Sequence, residues 1–312
     1  MGALGLLMAD WLVDHGARRI VLAGRTPLPP RKRWDDESLD AGVRHKIAAI
    51  RALELRGVSV DVETVDIGSL DAVRGVLDKR DAEGAPAICG VIHAAGMTDA
   101  QLLTEFDRDR VVQTVWPKIA GAAVLDRVFP PGTLDFLYLV ASAGSVFGVP
   151  GQGSYAAGTA YLDALARARH HQGDNTVSFD WVAWRGLGFG DEAQVVISEL
   201  ERVGSRPVAP TEAFAAWDFA SAFDVAQVVM APMQSAADAA AVTSDAHRPS
   251  APTRDWAAMS PSELRSELAD GLRAILAVEL RLPEADVHTD RPFAEMGLNS
   301  VMAMSIRREV ER

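Results

Sequence analysis

From its start to about residue 231 the chain alternates short runs rich in Val and Ile with longer amphipathic ones, and this alternation narrows its possible folds more than any other feature. "RRIVLAG", "VSVDVETVD", "AICGVIHAAG", "LDFLYLVAS", "TVSFDWVAW" and "AQVVMAP" are short, β-branched and bounded by Gly, Pro or Asp, as strands are. Between them "LGLLMADWLVDHG", "VRHKIAAIRALELRG", "SLDAVRGVLDKRDAEG", "RDRVVQTVWPKIAGAAVLDRVF" and "YAAGTAYLDALARARHHQG" have the spacing of helices. Gly16, Gly57 and Gly173 stand where helices would stop. Strands that are apolar along most of their length and separated by helices imply an α/β fold, a doubly wound parallel sheet covered on both faces. Ligands in such sheets bind beyond the carboxyl ends of the strands, so functional residues are expected in the loops that follow them.

Two stretches break the rhythm. "RTPLPPRKRWDDESLDAG" is too long and too rich in Pro and charge for an ordinary connection and is expected to be a surface insertion. Residues 235–258, "SAADAAAVTSDAHRPSAPTRDWAA" in the main, have the Ala, Ser, Pro and Asp composition of a flexible linker. They divide the chain into a large domain, 1–234, and a small one, 259–312. The small domain opens with a well-signalled helix: Ser260 as N-cap, Pro261 in the first turn, Glu263 three residues after the cap, and Pro283 beyond the end.

Composition limits the partners. With 48% hydrophobic and 24% charged residues the chain is that of an ordinary globular protein, and its net charge of −12 repels nucleic acid and anionic membrane surfaces. No apolar run is long enough for a membrane span. Cys89, the single cysteine, lies in an apolar run and is expected to be a packed thiol, and a reducing cytoplasm is the expected compartment. The opening "MGALGLLMADWLV" lacks the basic start of a secretion signal and carries Asp10.

Several residues fall where chemistry is expected. Gly2 and Gly5 precede a helical run, as glycines do where backbone N–H groups approach a pyrophosphate. Arg25 follows a strand, a position where an arginine meets the 2′-phosphate of NADPH and an acidic residue would instead bind the ribose of NAD. Asp66 ends the next strand. Ala94, Ala95 and Gly96 are small enough, after the strand "VIH", to lie against a cofactor ribose. His93 has no partner at metal-ligand spacing and reads as a packed or cofactor-flanking residue, so no metal site is expected.

"SYAAGTAYLDAL" puts Tyr155 at the start of an apolar helix, thirteen residues after Ser142, which ends a strand. Both can then point into one crevice. Reduction of a ketone needs a hydride, a proton for the developing alkoxide and fixed donors on the oxygen. A tyrosine can give the proton if a cation lowers its pKa. By position alone Tyr155 is either that donor or a core residue. The cation is not four residues on, where Thr159 stands, but Lys118 on the preceding helix is available.

The segments "GALG", "GRTPLPP", "VIHAAG", "VWPKIAGA", "VASAGSVFGVPGQGSYAAGTAYLDALA" and "MGLNSVMAMSIRREVE" together resemble the ketoreductase domain of a modular type I polyketide synthase, followed by its acyl carrier protein. The resemblance implies a Rossmann-like fold of the short-chain dehydrogenase/reductase superfamily. It implies NADPH-dependent reduction of a carrier-bound β-ketoacyl thioester, with Tyr155 as general acid, Ser142 as second donor to the carbonyl and Lys118 as tuning cation. It also implies 4′-phosphopantetheine on Ser300, in a variant of the carrier motif "GLDSL", and partners that are the carrier-bound polyketide intermediate and the other synthase domains.

The family pattern has asparagine where Thr159 stands, and a central strand with "TGGxG" ahead of the segment that starts here at Met1. The first strand of the sheet is therefore expected to be missing, which would leave two strands with unpaired edges, and the carrier domain is expected to be partial. These departures open a second expectation: a non-catalytic fragment serving only as scaffold and carrier tether.

Overall fold

The computed structural model of the chain describes residues 1–99, 106–149, 151–187, 194–233, 259–280 and 282–288, with isolated positions 292, 306 and 310. It separates into two compact units, Met1–Thr243 and Ser244–Arg312. In the first, α1 (Ala3–Asp14), β1 (Arg19–Gly24), α2 (Ala41–Leu55), β2 (Ser59–Thr64), α3 (Leu70–Ala82), β3 (Gly90–His93), α4 (Arg108–Val128), β4 (Phe136–Ser142), α5 (Gly144–Phe147), α6 (Gly153–His170), β5 (Thr176–Trp181), α7 (Gln194–Arg202), α8 (Pro210–Ala220) and β6 (Gln227–Met230) follow in order. All strand pairs are parallel, in two sheets: β1 with β2, and β3-β4-β5-β6. Among the described residues the end strands of the two sheets, β1, β2, β3 and β6, each keep one edge without a ladder.

Helix α1 joins the two sheets because it is apolar on two faces. Leu6, Ala9 and Val13, at helical spacing, pack with Ile20 and Leu22 of β1 and with Ile47, Ile50 and Leu53 of α2. Its other face sends Met8, Leu4, Leu7 and Trp11 into a cluster built on Phe179 and Trp181 of β5 and Trp217 of α8. Gly16, Gly57 and Gly173 end their helices with φ of 99°, 80° and 80°, the left-handed geometry that favours glycine. The long insertion lies on the surface but is pinned: Trp34 is buried, Arg31 stacks over its ring at 4.5 Å, and Arg31 also donates to the Val60 carbonyl at 2.9 Å, covering the outer edge of β2.

Cys89 departs from expectation. It is exposed, because the ladder of β3 begins only at Gly90 and Cys89 belongs to the loop before it. In the second unit α9 (Pro261–Leu280) begins as expected, with Ser260 and Glu263 exchanging hydrogen bonds in a capping box. Leu276, Ala277 and Val287 form a small core there. Ser300 lies outside the described residues. Among the described residues no helix is long and apolar enough to cross a membrane, and no three His, Cys, Asp or Glu side chains group as a metal site.

Candidate active site

The loops beyond β3 and β4 and the start of α6 hold the candidate residues together. Ser142 is the last residue of β4, and Tyr155 is in the first turn of α6. The Gly144 N–H donates to Ser142 Oγ at 3.2 Å, which leaves the serine proton free to be donated onward. The Ser142 and Tyr155 hydroxyls are hydrogen-bonded to one another and face the same crevice.

Lys118 reaches this pair from α4, one residue after the helix-interior Pro117. Its side chain is buried, with Nζ 5.0 Å from the centroid of the Tyr155 ring and donating to the Val140 carbonyl at 3.0 Å. Two glycines make the channel it occupies. A Cβ on Gly158 would lie 3.3 Å from the Lys118 Cδ, and one on Gly96 would lie 3.4 Å from its Cε. Gly96, expected to flank a cofactor, therefore also makes room for the lysine. Gly158 was not anticipated; a glycine inside the helical run "YAAGTAY" is the signal that points to it, since glycine there costs about 1 kcal/mol unless something passes close by.

Burial sets the ionisation of the site. It lowers Lys118 to about 8, against the pull of the carboxyl groups of Asp163 and Asp180. It also pushes Tyr155 up to about 12, and the hydrogen bond from Ser142 only partly offsets this. In the chain alone, desolvation of the phenolate sets the direction of the tyrosine's shift. His93 is buried beside Gly121 and, through desolvation and then the charge of Lys118, is lowered to about 4, so it is a neutral packed residue as expected. Thr159 is fully buried, and its hydroxyl donates to the Tyr155 carbonyl one turn back at 3.0 Å. Its one proton is spent within α6, and the Val140 carbonyl holds Lys118 instead.

The residues expected at a dinucleotide divide into open and occupied positions. Gly2 is the N-cap of α1, no side chain caps it, and the first turn has no acidic residue. A Cβ on Gly2 or Gly5 would meet nothing within 4 Å, so the helix start has room for an anion. Arg25 is exposed just past the carboxyl end of β1. Ala94, Ala95 and Gly96 follow β3 as a small-residue strip. These positions fit a dinucleotide phosphate. Asp66 is already engaged: it accepts from the Gly68 N–H at 3.0 Å and from the Trp116 indole at 3.2 Å. Sequence reasoning did not anticipate Trp116, Asp163 or Asp180; each carboxylate is a lone charge inside an apolar run, which is the signal for it.

Residues 1–186 match the KR domain family, and residues 270–312 match the phosphopantetheine attachment site family. Over the whole chain the sequence is 57% identical to a phenolphthiocerol/phthiocerol polyketide synthase component of Mycobacterium tuberculosis and 37% identical to the 6-methylsalicylic acid synthase of Penicillium patulum. It spans 16% and 18% of the lengths of these relatives. Among solved structures it is similar to the ketoreductase from the first module of phoslactomycin biosynthesis in Streptomyces sp. HK803, with a TM-score of 0.61 and 30% identity over 75% of this chain and 51% of that one. An A-type ketoreductase from a modular polyketide synthase gives a TM-score of 0.63 and 27% identity, covering 80% of this chain and 49% of that one.

Proposed function

We propose a reaction from one premise: the chain belongs to the KR domain family of polyketide synthases. The reaction is reduction of a carrier-bound β-ketoacyl thioester to the β-hydroxyacyl thioester, with NADPH. The observation that carries it is the Ser142–Tyr155 hydroxyl pair with the Lys118 ammonium 5.0 Å from the tyrosine ring. When bound, NADPH supplies a hydride. Gly2 and Gly5 at the start of α1 would hold its pyrophosphate, Arg25 its 2′-phosphate, and Ala94, Ala95 and Gly96 would lie along its ribose, with Asp66 beside them.

Ser142 and Tyr155 orient the ketone by donating to its oxygen. The Tyr155 hydroxyl gives its proton to that oxygen as negative charge develops, and Lys118 stabilises the phenolate left behind. A phenol at about 12 remains a stronger acid than the aliphatic alcohol it protonates, so the transfer runs downhill. Ser300 would carry the phosphopantetheine arm, and the other synthase domains would deliver and receive the acyl chain. The domain limits that go with this reading are a reductase over 1–234, a linker over 235–258 and a carrier domain over 259–312.

The test is NADPH oxidation by the purified chain with a diketide thioester. Turnover that disappears in Tyr155→Phe supports the reaction. A second reading, scaffold and carrier tether without chemistry, is favoured by the committed hydroxyl of Thr159. Absence of turnover together with absence of NADPH binding would establish that second reading and end the first.

A further inference from the structure

We propose that Asp163 and Asp180 position the charge of Lys118 as a proton-sharing pair: two carboxyl groups that hold one proton and one negative charge between them, the counter-charge of the buried ammonium. The inference deepens the proposed reaction and rests on it only for the task given to Lys118. Asp180 is fully buried on β5. Its Oδ2 accepts from the Gln227 amide at 2.6 Å, and among the described residues no N–H or O–H reaches its Oδ1. A carboxylate oxygen buried without a donor is costly, and the cost vanishes if that oxygen carries a proton. Its neighbour is Asp163, buried on α6, whose Oδ1 accepts from the Ser178 hydroxyl at 2.6 Å; the Ser145 hydroxyl lies 3.3 Å from its Oδ2 but has its closer acceptor, at 2.9 Å, in the Ser142 carbonyl. The short bond from Ser178 places the shared negative charge on Asp163, and Asp180, whose Oδ1 has no donor among the described residues, gives it the proton.

Charge arithmetic leads to the same arrangement. Lys118, Asp163 and Asp180 are all buried, and a low-dielectric interior favours a neutral sum. One ammonium and one carboxylate cancel; two carboxylates leave an excess of negative charge, and none leaves the ammonium alone. Burial first, and the neighbouring Asp163 in the same direction, raise Asp180 to about 7. The other groups facing the trio add no charge. His93 from β3 is held neutral, Tyr155 from α6 is a neutral phenol, and Gln227 from β6 is an amide whose oxygen accepts from Arg167 at 3.0 Å. Asp163 and Asp180 do not touch the reacting atoms; they act through Lys118, which loses its ammonium at lower pH if the counter-charge is removed.

The chain has four lysines, Lys32, Lys46, Lys79 and Lys118, so the side-chain NMR signals of isotope-labelled lysine can be followed individually through a pH titration, with Lys118→Met for assignment. In Asp163→Asn or Asp180→Asn the asparagine amide donates where the shared proton did, and the remaining carboxyl carries the charge. Each single variant is expected to lower the Lys118 midpoint by less than about half a pH unit, and the double variant by at least about one unit, a tenfold change. A double variant with the wild-type midpoint, or a single variant that already shows the whole shift, overturns the proposal. Infrared spectroscopy of the unmutated chain is the second measurement and does not depend on any variant folding. The carbonyl band of a protonated carboxylic acid is expected at a pH of about 6, where free carboxyls are ionised, and its absence overturns the proposal as well. Neither readout needs turnover. The expected titrations in a chain that does not oxidise NADPH would sink the proposed reaction and leave the pair standing, whereas in an active chain the alkaline limb of kcat/KM moves down with Lys118 in the double variant.

Discussion

The two faces of β5 are equally buried and do opposite things. All six of its residues are buried. Val177, Phe179 and Trp181 point into an aromatic cluster, where Phe179 lies 4.8 Å and Trp181 5.6 Å from the Trp217 ring. Thr176, Ser178 and Asp180 face the other way: Thr176 accepts from the buried Arg169 at 2.9 Å, Ser178 donates to Asp163, and Asp180 faces Asp163 from the same strand. The aromatic face stabilises through area removed from water, a non-directional gain. The polar face gains little net stability from the same burial, because each hydrogen bond only replaces one to water, but it fixes where charge and protons sit. Ser142 ends β4, the strand next to it, and Tyr155 lies in the first turn of α6, whose Asp163 meets the polar face.

If that division is right, the two faces respond to mutation in different ways. Trp217→Ala should destabilise the large unit by about 3–5 kcal/mol, measured by urea unfolding, with the pH dependence of stability unchanged. Tyr155→Phe should leave unfolding nearly unaltered and reduce turnover by about 10²–10⁴-fold in the diketide assay.

A pH test separates the faces more finely. The folded-state pKa of Asp180, about 7, exceeds its ordinary value of 3.8, so the folded chain keeps a proton that the unfolded chain releases, and this contribution to stability declines as pH rises from about 4 through about 7. His93, lowered from 6.5 to about 4, contributes in the opposite sense over most of the same window and masks it. Comparison with Asp180→Asn removes the mask. The Tm of the wild type relative to this variant should fall by about 6–12 degrees between pH 4 and 7, the size of a change of about 3 kcal/mol. A flat difference would mean that Asp180 is ionised in the folded chain. The smallest effect is expected for Trp217→Phe. Its indole N–H has no partner among the described residues, so only packing is altered, at a cost below about 1.5 kcal/mol.

Much of the site is legible in the sequence because its parts carry local signals. Ser142 and Tyr155 sit where a strand ends and a helix begins, and each of those events is written in nearby residues: Val and Ile before Ser142, glycines before Tyr155. Lys118 is legible as an available cation on the preceding helix, but its role comes from the family resemblance, since nothing in its own helix marks it as reaching the tyrosine. Asp163 and Asp180 are not, because an isolated Asp in an apolar run has no partner within helical or strand spacing; theirs are each other, from α6 and β5. Cys89 is exposed despite the apolar character of its run, because hydrophobicity does not tell where a ladder starts.

By itself the sequence determined the α/β alternation, the helix stops at glycine and the start of α9, because propensity, capping and periodicity act between residues a few positions apart. Only the tertiary structure decided which charges survive burial. Whether Tyr155 is raised or lowered, whether Lys118 keeps its ammonium and which of two aspartates holds a proton depend on desolvation and on neighbours brought from α4, α6, β4 and β5, and those distances exist only once the chain has closed around them.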